Sequence, residues 1–301
     1  MVGFHGDGQH NRSPRGCRGG RPRRSNLGDF EVDTRLEGSG GHYRADLSSD
    51  WEIWGPNGGY LAAIALRAAG CDAQIPRPAS FAGHFLSIAR FASVDVRVRL
   101  LRRGRRSESF QVTIAQDGKL VLEALVRTAA SGPGLEHDTA RPPDVPGPEE
   151  LVSSEELSEA GPPRYPFWQN LEVRPIWPER FREEPRVRPP IWREWYRFRP
   201  RAVFDDPFVD AGRMLLLIDT LSWPAAVQAH PDPAFQATNL DVSAWFHTAE
   251  PGADWLLADH ECPVAQAGLM GTQGRVWSAD GRLLASGGAQ LICVPTAAGS
   301  R

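Results

Sequence analysis

Trp54-Gly55-Pro56-Asn57-Gly58-Gly59-Tyr60-Leu61-Ala62-Ala63-Ile64-Ala65-Leu66-Arg67-Ala68-Ala69-Gly70 reads as a helix with no wet face. Asn57 is a helix cap, its side chain able to accept from the first free amides, and the pattern predicts a helix from Gly58 to about Ala69 with Gly70 ending it. Arg67 is its one charge, so the helix must be enclosed nearly all round. The sequence beyond it supplies a wall. Val94, Val96, Val98 and Leu100 alternate with Asp95, Arg97 and Arg99, which is a strand with one buried face. Phe110–Ala115 and Lys119–Arg127 follow as strands, joined by the hairpin signal Gln116-Asp117-Gly118. One buried helix among antiparallel strands is an α+β layer.

The plan then recurs. Phe167–Val173 and Ile191–Phe198 read as strands, and Met214–Ala229 as an apolar helical segment interrupted by Pro224. Leu240, Val242, Ala244 and Phe246 alternate with polar neighbours, and Arg282–Val294 follows the turn Ala279-Asp280-Gly281. His84 and His247 stand 163 residues apart, as do Asp117 and Asp280, which argues for an internal duplication. Four segments follow. Residues 1–27, rich in Gly and Arg, are an extension that buries too little to order itself; 28–132 form the first half; 133–165, rich in Pro and Glu, are a linker with room for one short acidic helix; 166–301 form the second half.

Bulk properties narrow the function. A formal net charge of -3 gives no general attraction to nucleic acid, which outweighs the Arg/Gly extension. No apolar run approaches the roughly 20 residues of a membrane span, so membrane insertion is not expected. Cys17, Cys71, Cys262 and Cys293 are scattered, so neither a metal site nor a disulfide framework is predicted, and a reducing cytoplasmic setting fits. Nucleophile-elbow, zinc-protease, phosphate-loop and dinucleotide motifs are all lacking.

The candidate chemistry lies elsewhere. Asp219 follows Leu215-Leu216-Leu217-Ile218, and a carboxylate among such neighbours is desolvated and raised toward the range of a general base. The plainer alternative is a cap for a short second helix. Gln290 lies among Ala289, Leu291 and Ile292 and needs a fixed partner, either a reacting water or backbone. Asn57-Gly58-Gly59 opens a buried helix, where bare amides suit an oxyanion, though glycines also permit close packing. Arg103 and Arg105, in the run Leu101 to Arg106, are either phosphate ligands or a solvated turn. His84 and His247 head matching strands and read as structural.

Taken together, Trp54-Gly55-Pro56-Asn57-Gly58-Gly59-Tyr60-Leu61, Gly83-His84-Phe85-Leu86, Leu217-Ile218-Asp219, Asp241-Val242-Ser243-Ala244-Trp245-Phe246-His247 and the Asp280-to-Gln290 segment resemble the acyl-CoA thioesterase II-like group of the double hotdog superfamily. The resemblance spans about residues 30 to 295. It implies an α+β double hotdog, two buried helices each wrapped by an antiparallel β-sheet. It also implies hydrolysis of an acyl-CoA substrate without cofactor, metal or covalent intermediate, as part of fatty-acid metabolism. The family's Asp falls on Asp219 and its Gln on Gln290, while the position of its hydroxyl residue is held by Asn239. Thr238, one place away, would face the other side of a strand. The resemblance leaves two alternatives, an acyl-binding protein without catalysis and an enoyl-thioester hydratase or dehydratase using His84 or His247. Exposed sheet edges would favour a homo-oligomer.

Overall fold

A computed structural model describes residues 27–158, 165–181, 186–231, 234–248 and 252–295. The expected N-terminal extension lies outside the described residues except for Leu27. Among the described residues the first half carries α1 (Phe30–Asp33), β1 (Glu37–Ser39), β2 (His42–Asp46), α2 (Gly58–Asp72), β3 (Pro78–Phe85), β4 (Ser93–Arg103), β5 (Ser107–Gln116) and β6 (Lys119–Ala129). After α3 (Ser154–Leu157), the second half carries β7 (Leu171–Pro175), β8 (Ile191–Phe198), α4 (Pro207–Thr220), α5 (Ser222–Val227), β9 (Phe235–Asn239), β10 (Asp241–Phe246), β11 (Leu256–Gln266), β12 (Leu269–Ser278), β13 (Leu283–Gly288) and β14 (Gln290–Pro295).

The architecture is α+β, with α2 and α4 each enclosed by antiparallel strands. The strands run in the order β1-β2-β4-β5-β6-β3-β10-β13-β12-β11-β8-β7, so the two halves share one sheet through the β3–β10 pair. There Asp241 lies opposite His84 and Ala244 opposite Phe81. β9 and β14 pair off this path, with Leu291 opposite Asn239.

Asn57 caps α2 as expected, its Oδ1 accepting from the Tyr60 amide at 2.9 Å. Gly70 does not end the helix, which runs to Asp72. A Cβ at Gly70 would stand 2.6 Å from the Phe208 ring, so this glycine serves close packing instead. The two central helices lie antiparallel, with Gly59 against Leu216, Gly212 against Ala63 and Gly70 against Phe208. Most of their residues are fully enclosed, which accounts for apolar side chains on every face.

Three local expectations are corrected. The apolar segment in the second half is two helices, broken at Leu221, because Pro224 has no amide to offer Thr220. The stretch Phe167–Val173 begins as a 3-10 turn, Pro166–Asn170, before β7. The Pro-rich segment holds the short acidic helix α3, but it is not a free tether. Val145 and Leu151 pack on a cluster of Trp195, Trp255 and Trp277, and Trp195 donates its indole proton to the Pro146 carbonyl at 2.9 Å. No helix among the described residues is long and apolar enough to cross a membrane.

Candidate active site

The antiparallel helices bring the start of α2 against the end of α4, and Asp219 sits at this junction. Its side chain is buried, the whole residue only 3% exposed. Asn239, at the end of β9, donates from Nδ2 to the Asp219 carboxylate at 2.6 Å and to the Asp219 carbonyl at 2.9 Å. The Gly59 amide donates to the same carboxylate. Burial drives the Asp219 pKa up to about 7, against the downward pull of the Asn239 and Gly59 hydrogen bonds. The carboxylate therefore changes protonation near neutrality. It does not cap α5, whose N-cap position is Leu221 and which has no side-chain cap hydrogen bond. It faces the N-terminus of α2, where the helix dipole favours negative charge.

The glycines are required here. A Cβ at Gly58 would lie 3.0 Å from Asp219 Oδ2 and 2.9 Å from the Phe85 ring; one at Gly59 would lie 2.7 Å from Leu216 Cα. Of the two amides expected as oxyanion donors, that of Gly59 is engaged by Asp219, which leaves Gly58 as the candidate. Asn57 has a second task, donating from Nδ2 to Thr220 Oγ1 at 3.0 Å across the junction.

A cleft of about 410 Å³ opens over these groups. Asn57, Gly58, Asp219, Thr220, Thr238 and Asn239 lie along it with Trp54, Phe85, Tyr165, Trp168 and Trp223, so few polar groups sit in an apolar, aromatic setting. No local pattern signals that Tyr165 and Trp168, at the end of the Pro-rich segment, reach this cleft. Thr238, although exposed on β9, does reach it.

The structure brings together Asn57, Gly58, Gly59, Asp219 and Asn239 and leaves the other candidates apart. Gln290 is exposed and lines a separate groove of about 500 Å³ with Asp241, Ser243 and Trp245, and it is not among the residues lining the Asp219 cleft. The reason is strand parity: Ala289 and Leu291 point into the core, so Gln290 points outward. The expected meeting of the Gln290 amide with Asp219 over one water is therefore corrected. Arg103 pairs with the buried Glu108 and donates to the Asp72 carbonyl at 3.0 Å. That is the far end of α2, which at 1.5 Å per residue puts it roughly 20 Å from the Asp219 junction. Burial alone would raise Glu108, but the Ile75 amide, Arg103 and the Gln74 amide outweigh it and hold its pKa low. Arg105 is exposed in the turn after β4. Neither arginine meets the cleft. His84 is exposed, and His247 bonds Ser286 at 2.8 Å; neither lines the cleft.

Comparison with known proteins agrees on the architecture. Residues 47–129 match the family model described as acyl-CoA thioesterase N-terminal domain, and residues 141–294 match the acyl-CoA thioesterase C-terminal domain. Among solved structures, a tesB protein from Mycobacterium avium subsp. paratuberculosis is 25% identical with a TM-score of 0.74, over 90% of this chain and 100% of that one. An acyl-CoA thioesterase II from Mycobacterium marinum is 20% identical with a TM-score of 0.73, over 89% and 99%. A protein of unknown function with a hot dog fold from Alicyclobacillus acidocaldarius is 23% identical with a TM-score of 0.75, over 89% and 98%.

Proposed function

Because the chain belongs to the acyl-CoA thioesterase family, with the N-terminal domain of that family in its first half and the C-terminal domain in its second, we propose that it hydrolyses acyl-CoA thioesters by direct attack of water, with Asp219 as general base. The observation that carries this reading is a buried carboxylate, poised near neutrality, at the floor of an apolar cleft. Both hydrogens of the Asn239 amide go to Asp219, to its carboxylate and its carbonyl, which leaves Asn239 Oδ1 to accept from the water. As the water oxygen bonds to the thioester carbon, Asp219 takes its proton. The carbonyl oxygen becomes an oxyanion, for which the first amide of α2, at Gly58, is the donor we assign. Collapse breaks the carbon–sulfur bond, and the departing thiolate recovers the proton from Asp219. The products are a carboxylic acid and free CoA thiol.

The position of Gln290 outside the cleft favours one competing reading, an acyl-CoA-binding protein without turnover. A free-thiol assay over short, medium and long acyl-CoAs separates the two. Thiol release that is abolished in Asp219→Asn supports hydrolysis. Ligand-induced thermal stabilisation with no thiol release from the wild type leaves only binding.

A further inference from the structure

One part of the cleft's lining is a built wall. Trp54 donates its indole proton to the Tyr165 hydroxyl at 2.8 Å, which joins the loop before α2 to the chain that enters the second half. Tyr165 begins a segment that is fixed at several points. The Phe167 amide donates to the Glu52 carbonyl at 3.3 Å, and the Asn170 side chain donates to the Asp50 carbonyl at 2.7 Å. Phe167 is fully buried edge-on against Trp51, and Trp168 packs edge-on against Phe167 with ring centroids 4.9 Å apart. Tyr165 and Trp168 therefore face the cleft from a braced support rather than from a free loop.

Resting on the thioesterase reading, we infer that this wall of Trp54, Tyr165 and Trp168 sets the longest acyl chain the cleft encloses, and that the preferred substrates are short to medium acyl thioesters. The volume supports this. About 410 Å³ is near the lower end of the range for small-molecule pockets. The thioester and the adjoining atoms of the thiol arm use part of it, which leaves room for a short to medium acyl chain, on the order of eight carbons. Each methylene enclosed before the wall is reached should raise kcat/KM by about fourfold. Those beyond it should add nothing.

The test measures kcat/KM on the full chain with saturated acyl-CoAs from two to sixteen carbons. In parallel, thermal shifts are recorded with the matching S-alkyl-CoA thioethers, which cannot be hydrolysed. The wild type should climb and then level off at about eight carbons, and Tyr165→Ala should move the levelling point two to four carbons further. A climb that continues to sixteen carbons, or a levelling point unmoved in both Tyr165→Ala and Trp168→Ala, overturns the inference. Because the thioether series reports length without turnover, a break there with no thiol released from any ester sinks the hydrolase reading and sustains the wall. Thiol release without a break in either series does the reverse.

Discussion

The side-chain amide of Asn57 donates to the hydroxyl of Thr220 at 3.0 Å, pinning the first turn of one central helix to the last turn of the other. The bond crosses the junction that holds Asp219, so the carboxylate is bracketed by Asn57–Thr220 beside it and Asn239 above its own backbone. A carboxylate positioned in this way is tested most directly by changing its charge and its partners.

Asp219→Asn removes the proposed base but keeps its shape. Turnover should fall by about 10²- to 10⁴-fold, the usual worth of a general base. The melting temperature should be no lower near neutral pH, because a costly buried carboxylate has been removed. A variant with wild-type turnover would show that another group takes the proton.

The pH dependence follows from the raised pKa. Since Asp219, as the proposed base, must be ionised to accept a proton, kcat/KM should rise with pH along a limb with an apparent pKa of about 7. Stability should move the opposite way. Between the ordinary 3.8 and about 7 the folded state holds a proton that the unfolded state has lost, so unfolding free energy falls as pH rises through that window. Asp219→Asn should flatten that decline, as read by urea denaturation at pH 4, 5.5 and 7.

Asn239→Leu withdraws the hydrogen bonds that favour the charged carboxylate. A hydrogen bond to a charged group is worth about 1.5–3 kcal/mol, so the ascending limb should move up by roughly one to two pH units. Asn239→Thr, which restores one donor, should lie between. An unmoved limb in the Leu variant would mean that the Asn239 contact does not tune the base.

Gly59→Ala drives a methyl group into the α4 backbone at Leu216, which cannot step aside. We expect a loss of about 1–3 kcal/mol in stability, together with weakened activity as the Asp219–amide bond lengthens. Chemical denaturation and the thiol assay read the two effects.

Gln290→Ala should leave kcat/KM within about twofold, since the side chain opens onto a different groove and is exposed, where substitutions usually have small effects. A large loss would mean that the residue reaches the reacting centre in a conformation other than this one.

Much of the fold was legible because its signals are local. The helix enclosed on all sides, the Asp-Gly turns and the alternation in β4 and β10 each follow from a few adjacent residues. The offset of 163 holds for strands: β4 begins at Ser93 and β11 at Leu256, while β3 begins at Pro78 and β10 at Asp241. It fails for the helices, since α4 begins at Pro207 and the second half inserts α5 and β9 between α4 and β10. That insertion delivers Asn239 to Asp219, a contact between residues 20 apart in sequence that no periodicity could show. Burial of Asp219 was readable from its neighbours. The outward turn of Gln290 was not, because apolar neighbours on both sides say that a strand is half-buried without saying which parity faces in. Arg103 was legible as a cation, but its partner Glu108 is set by the sheet and by the end of α2.

The antiparallel helix pair has two ends, and they have been put to different uses. At one, glycines and a carboxylate leave room beneath an open cleft; at the other, the Phe208 ring is pressed onto Gly70 and fills the space. On the proposed reading, the paired helices therefore hold one reaction centre rather than two. Titration of the whole chain with a non-hydrolysable acyl-CoA analogue should saturate at one equivalent per polypeptide, with no second, weaker phase.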